Sequence, residues 1–140
     1  MAPVAAGKHE DDEPRRAVHR FFTLVLRQKY EEAYGQFSSS VKREVSFSRF
    51  VEGARDVKYL KIHKITLTDR EKNLVKLRMQ ALIHLVYRGS LYEAVYEGKV
   101  SLYREKGRWT VMTVDLKAVS QKSLNRKAPP KQLQKLDFGT

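Results

Sequence analysis

The stretch LVKLRMQALIHLVYRGSLYEAVYEGKVSLY, residues 74–103, decides the fold because it reads as a long β-hairpin. Two runs, Leu74 to Arg88 and Leu91 to Tyr103, flank Gly89-Ser90. A glycine at the first central position predicts a two-residue type II′ turn. Pairing outward from it sets Tyr87 opposite Tyr92, Leu85 opposite Ala94, Ile83 opposite Tyr96 and Ala81 opposite Gly98. Met79 then meets Val100, and Leu77 meets Leu102. Successive strand residues point to opposite faces, so this alternation makes one face almost wholly apolar. The other face carries Lys76, Arg78, Gln80, His84, Glu93, Glu97 and Lys99. The apolar face thins in the middle, where Ala81 and Gly98 offer little volume. A long curved sheet with a hollow on its covered side is expected to be a container.

Working outward, the last strand is expected from Arg108 to Leu116 after a Glu105-Lys106-Gly107 turn closed by a left-handed glycine. Its apolar positions slip from Trp109 and Val111 to Met112, Val114 and Leu116, which calls for a bulge. Tyr59 to Thr68 forms the first strand, and a slip from Leu60 and Ile62 to Ile65 and Leu67 places another bulge near His63 or Lys64. Upstream, Asp11, Asp12 and Glu13-Pro14 mark a helix start. Ala17, Val18, Phe21, Phe22, Val25 and Leu26 follow as one apolar stripe. A short second helix covers Lys29 to Tyr34 and ends at Ser38-Ser39-Ser40. A third begins after Ser46 and carries Phe47, Phe50, Val51 and Ala54 inward, weakened by Gly53. The expected fold class is α+β: three N-terminal helices on a curved four-stranded antiparallel sheet. Residues 1–11 read as a flexible acidic N-terminus, 12–118 as one domain and 119–140 as a basic, largely disordered tail.

At 140 residues the chain is long enough for a core of its own. It has no cysteine, which excludes disulfides, thiol catalysis and thiolate metal sites. No stretch approaches the roughly 20 apolar residues that span a bilayer. The small residues Ala2 to Gly7 fit a linker left after a leader is removed, so cytoplasm and cell envelope are both open as locations. The net charge of +12 is uneven: Lys8 faces Glu10, Asp11, Asp12 and Glu13 at one end, and six cations face Asp137 in residues 117–140. A basic domain of this kind attracts nucleic acid, anionic lipid or acidic partners.

The pattern Phe21-Phe22, Lys29-Tyr30-Glu31-Glu32-Ala33-Tyr34, Ser46-Phe47-Ser48-Arg49-Phe50 and the closing Gly107-Arg108-Trp109-Thr110-Val111 resembles the cone-shaped fold of the nuclear transport factor two and ketosteroid isomerase superfamily, a cystatin-like arrangement. The resemblance covers about residues 14–116. It implies a pocket between the helices and the concave sheet face, and dimers that pair sheet to sheet. The residues here expected to line that pocket are Phe22, Tyr34, Phe50, Ala81, Ile83, Tyr87, Tyr92, Ala94, Tyr96 and Gly98, suiting a small hydrophobic ligand oriented by tyrosine hydroxyls.

Catalysis in the isomerase branch needs a carboxylate base beside a tyrosine-centred oxyanion hole. Tyr92 and Tyr96 are candidate donors, but Glu93 and Glu97 fall on the opposite face. Asp115 reaches Tyr96 only if a tight loop pairs Leu102 with Trp109; the Gly107 turn points it away. A dehydratase-like His–Asp pair is not evident, since His84 is on the outer face, His19 on the first helix and His63 at the bulge. No His and carboxylate spacing suggests a metal, and no cofactor is expected. On the outer face Leu82, His84, Val86, Val95 and Tyr103 are expected to pair with a second copy, or to be covered by the tail through Leu124, Leu133, Leu136 and Phe138. The reading is a non-enzymatic binding or scaffolding domain. The alternatives are a small lyase or isomerase acting on a hydrophobic substrate, and a sequence-nonspecific polyanion-binding module. The latter would use Arg15, Arg16, Arg20 and Arg27 with Lys117, Lys122, Arg126, Lys127, Lys131 and Lys135, the basic tail also serving an acidic partner.

Overall fold

The computed structural model describes residues 2–124 and 135–140, with side chains from Glu13 onward. Four helices come first: α1 (Ala2–Leu26), α2 (Tyr30–Gly35), α3 (Ser39–Glu44) and α4 (Phe47–Ala54). Four strands follow, β1 (Val57–Arg70), β2 (Leu74–Tyr87), β3 (Ser90–Glu105) and β4 (Arg108–Ser123), in one antiparallel sheet of order β1-β2-β3-β4. The α+β class and the meander agree with the sequence.

The helical layer differs in two respects. Helix α1 begins well before Asp11, so Pro14 lies inside it rather than at its first turn, and residues 2–11 are helical. The serine run does not merely end α2. Ser38 accepts a hydrogen bond from the Val41 N–H and caps α3, a helix of six residues absent from the expected three. Ser46 caps α4 in the same way, accepting from the Arg49 N–H at 3.1 Å. Among the described residues, α1 packs on both edge strands, β1 and β4, so it lies across the concave face.

The central hairpin closes one residue earlier than expected. Its turn residues are Arg88 and Gly89, with φ of 50° and 78°, the two positive angles of a type I′ turn. Ser90 is thereby the first residue of β3 and is buried. Every pair moves by two: Tyr87 faces Ser90, Leu85 faces Tyr92, Ile83 faces Ala94, Ala81 faces Tyr96, Met79 faces Gly98 and Leu77 faces Val100. A shift of two preserves which face each residue occupies, but it changes what stands opposite what. The smallest inner residue of β2, Ala81, meets the large ring of Tyr96 instead of Gly98. Large therefore meets small across the strands.

The last hairpin is also type I′, with Lys106 and Gly107 at φ of 51° and 76° and Glu105 facing Arg108. This replaces the expected three-residue loop. The register then slips between Val111 and Thr113, so a bulge at Met112 sends Val111, Val114 and Leu116 inward. The slip in β1 falls between Ile62 and Lys64, at the position read from the sequence, with further slips at Lys58 and Thr68.

Strand β4 continues through residues 119–123, and the segment 135–140 docks on the domain, where a disordered tail was expected. Leu136 N–H donates to the Leu116 carbonyl at 3.0 Å, and Val114 N–H donates to Thr140 Oγ1 at 3.2 Å. Farther along the same edge, Ser38 N–H donates to the Val111 carbonyl, and Val111 N–H donates to the Gln36 carbonyl. Two segments thus cover the exposed edge of β4, while the β1 edge is guarded by exposed Lys58, Lys61 and Lys64. Phe138 is 1% exposed and joins Phe21, Phe22 and Phe50, with ring centroids 5.6–6.1 Å away. Gly53 makes this docking possible: a Cβ there would stand 1.6 Å from the Asp137 carbonyl oxygen.

Candidate functional site

The concave face gathers most of the residues expected to line a pocket. Phe22, Phe50, Ala81, Ile83, Tyr92, Ala94 and Tyr96 all belong to the buried core, from 0 to 5% exposed. Tyr34 packs at its margin, edge-on to Phe37 at 5.8 Å, with its hydroxyl donating to the Val45 carbonyl. Tyr87 is half-buried against the same core at the end of β2. It lines an open cleft of about 250 Å³ between the end of β2, α4 and the docked C-terminal segment. Gly98 contributes no empty space, since the Asp115 carbonyl sits 1.9 Å from where its Cβ would be.

Tyr96 is the polar centre of this face. Burial pushes its phenol up to about 12, so it is a neutral hydroxyl at ordinary pH. Its neighbours across the sheet are Ala81 on β2 and Ala118 on β4. Among the described residues, the buried polar side chains are Ser38, Ser90, Ser101 and Thr110. The described carboxylates and histidines lie outside the core. Asp115 pairs with Lys99 on the outer face and forms an ion pair with Lys135 at 3.1 Å. Its direction is the one that the Gly107 turn implied, reached through a two-residue loop followed by a bulge. His19 and His63 are exposed. No group of three or more His, Cys, Asp or Glu side chains among the described residues is arranged to hold a metal.

The outer face carries the more developed polar chemistry. His84 Nε2 lies 2.8 Å from Glu93 Oε2, and Lys122 Nζ lies 3.2 Å from Glu93 Oε1. The hydrogen bond from His84, followed by that from Lys122, holds the Glu93 carboxyl below the ordinary carboxylate range. Gln80 donates to Glu97 at 2.6 Å, and Tyr59 stacks near His84 with ring centroids 5.0 Å apart. Beside this network Leu82 faces Val95 and Val86 faces Leu91, all half-buried, and Tyr59 is 40% exposed. Tyr103 is not part of this patch. It faces Leu74, eight residues along β2 from Leu82, or about 26 Å at strand spacing.

Of the four apolar tail residues expected to cover the outer face, two are buried elsewhere. Leu136 and Phe138 bury themselves on the helical side, Leu124 is 40% exposed, and Leu133 lies outside the described residues. Of the expected polyanion contacts, Lys122 and Lys135 are engaged with carboxylates, and Arg126, Lys127 and Lys131 also lie outside the described residues. Sequence reasoning missed the role of Arg49, whose ion pair with Asp137 fastens the last residues to α4. Burial raises the Asp137 carboxyl. The Arg49 hydrogen bond, the Gly139 N–H and the charges of Arg49 and Lys135 outweigh this and hold it below the usual value.

No helix among the described residues is long and apolar enough to cross a membrane. No known protein-family model matches the chain, and no curated protein sequence matches it. Among solved structures, the chain is similar to a candidate scytalone dehydratase from Novosphingobium aromaticivorans, solved by crystallography. The TM-score is 0.67 at 11% identity, covering 94% of this chain and 99% of the other. At that identity the likeness speaks for the backbone alone. The chain thus has the cone-shaped α+β fold of the nuclear transport factor two-like proteins, its concave side lined by its own aromatic residues.

Proposed function

We propose that this protein is a small member of the nuclear transport factor two-like superfamily that works as a non-enzymatic binding or scaffolding domain, two copies pairing through the outer sheet face. The observation that carries this reading is the distribution of side chains. Among the described residues the concave side buries its aromatic rings around a neutral Tyr96, and the strand carboxylates Glu93, Glu97 and Asp115 stand on the outer face. The outer side presents Leu82, Val86, Leu91 and Val95 beside the His84–Glu93–Lys122 network. Apolar side chains grouped in this way favour burial against a partner surface. Sedimentation velocity of the full chain is expected to give a dimer, and Leu82→Glu with Val95→Glu is expected to give a folded monomer. A native chain that stays monomeric at high concentration overturns the reading.

A second reading, a lyase or isomerase acting on a hydrophobic substrate, draws on the fold likeness to the candidate scytalone dehydratase. It requires an acid–base group near Tyr96 and release of Phe138 from the concave side. Turnover of a hydrophobic hydroxy ketone that is abolished in Tyr96→Phe would favour it over the scaffold.

A further inference from the structure

We propose that the end of the molecule around the β3–β4 hairpin tip binds single-stranded nucleic acid, with phosphates on Arg16, Arg20, Lys42, Lys106 and Arg108 and a base stacked on Tyr103. This surface is separate from the outer-face patch and does not depend on the dimer.

Two clefts flank the tip. One, of about 410 Å³, lies between Arg16 and Arg20 of α1 and the Arg108-Trp109 start of β4. The other, of about 720 Å³, lies between Lys42 of α3 and Tyr103, Lys106 and Arg108. Arg108 lines both, so together they wrap the tip. Adding Arg104, the two clefts hold six cations against two carboxylates, Glu13 and Glu105. Glu105 is already committed, accepting from the Ser39 N–H at 3.1 Å and the Ser39 hydroxyl at 3.2 Å. Arg16, Arg20, Lys42 and Lys106 have no carboxylate partner among the described residues. The cleft beside Gly53 provides the contrast, since Arg49, Arg55 and Lys135 there face Glu52, Asp56 and Asp137 in balance. Among the described residues, cations thus outnumber carboxylates at the tip.

The donor surplus continues below the surface. Arg104 stacks its guanidinium 4.6 Å over the Trp109 ring, and Arg104 Nε and Trp109 Nε1 are buried without an acceptor. Phosphate is the group that several arginines and lysines bind best. The clefts offer no exposed aliphatic side chain for a peptide anchor or a membrane wedge. They do offer Tyr103, 39% exposed beside the cations, and a basic groove with an aromatic face is how single strands are held without sequence preference. A flexible strand can follow both sides of a narrow tip, whereas a duplex presents a straight, stiff face.

The test is fluorescence anisotropy of a fluorescein-labelled oligouridylate with the full chain, across a salt series, the fold of each variant being checked by circular dichroism. R16E/R20E/R108E is expected to weaken binding about a hundred-fold at low salt and to flatten the salt dependence. K58E/K61E/K64E carries the same charge change on the β1 edge and is expected to stay within about three-fold of the native chain. Tyr103→Ala is expected to cost about ten-fold with the salt slope unchanged. Equal loss in both triple variants would reduce the attraction to net charge and overturn the site. Displacement of the oligonucleotide by polyglutamate or phosphatidylserine vesicles at matched charge, with Tyr103→Ala silent, would overturn the assignment to nucleic acid.

Discussion

Gly98 and Ala81 are both small, for different reasons. The Asp115 backbone occupies the space beside Gly98, whereas Ala81 makes room for the Tyr96 ring. In the sequence both looked like the wall of a hollow, because composition shows missing volume but not what fills it. Gly98→Ala drives a methyl into a backbone carbonyl that cannot swing aside, and is expected to destabilise by about 1–3 kcal/mol in urea unfolding. An unchanged midpoint would show that β4 stands off from β3 at this point. Tyr96 gives a second test. Its phenol titrates near 12 in the folded chain against 10.0 for an unperturbed tyrosine. The folded pKa is raised, so this contribution to stability is whole below pH 10 and falls away between 10 and 12. A spectrophotometric titration should find two of the seven tyrosines, Tyr30 and Tyr96, ionising above the ordinary range, and Tyr96→Phe should remove the step at about 12.

At the scale of elements, hydrophobic alternation made the strands, their faces and the bulges of β1 and β4 legible. The slip at His63 and the change of phase after Val111 are visible in the sequence because a bulge moves apolar residues from odd to even positions. A register error of two leaves no such trace, since every residue keeps its face. Only the turn could have decided it, and Arg88-Gly89 was a poorer signal than Gly89-Ser90 because arginine seldom takes a positive φ. Helix α3 escaped for a related reason: serines both end and begin helices, and six residues are too few for a periodic stripe. The strained turn position carries its own prediction. Asparagine tolerates the left-handed region better than arginine, so Arg88→Asn is expected to stabilise the hairpin by up to about 1 kcal/mol, read as a raised unfolding midpoint. A destabilised variant would mean that the stacking of Arg88 on the Tyr87 ring, at 5.2 Å, outweighs the backbone strain.

The molecule as a whole is completed by its last six residues. Their docking was illegible because Leu136 and Phe138 stand alone in a polar, proline-containing segment, and what anchors them lies far away in the chain. Gly53 gives the Asp137 backbone its space, Arg49 gives its side chain a counter-charge, and Phe21, Phe22 and Phe50 receive the Phe138 ring. Phe138→Ala is expected to destabilise by about 3–5 kcal/mol, the cost of an emptied aromatic site that its neighbours refill only in part. Acid should act on the same segment by another route. The Asp137 carboxyl lies below its ordinary value of 3.8 when docked, so its contribution is intact above that value and is lost as the pH falls through the docked pKa. Hydrogen exchange at the Leu136 amide, which is bonded to the Leu116 carbonyl, should therefore gain protection as the pH rises through this range, after correction for intrinsic rates. Asp137→Asn should flatten that dependence while leaving Phe138 buried. If Asp137→Asn instead releases the whole segment at neutral pH, the ion pair with Arg49, rather than the aromatic contact, holds the C-terminus in place.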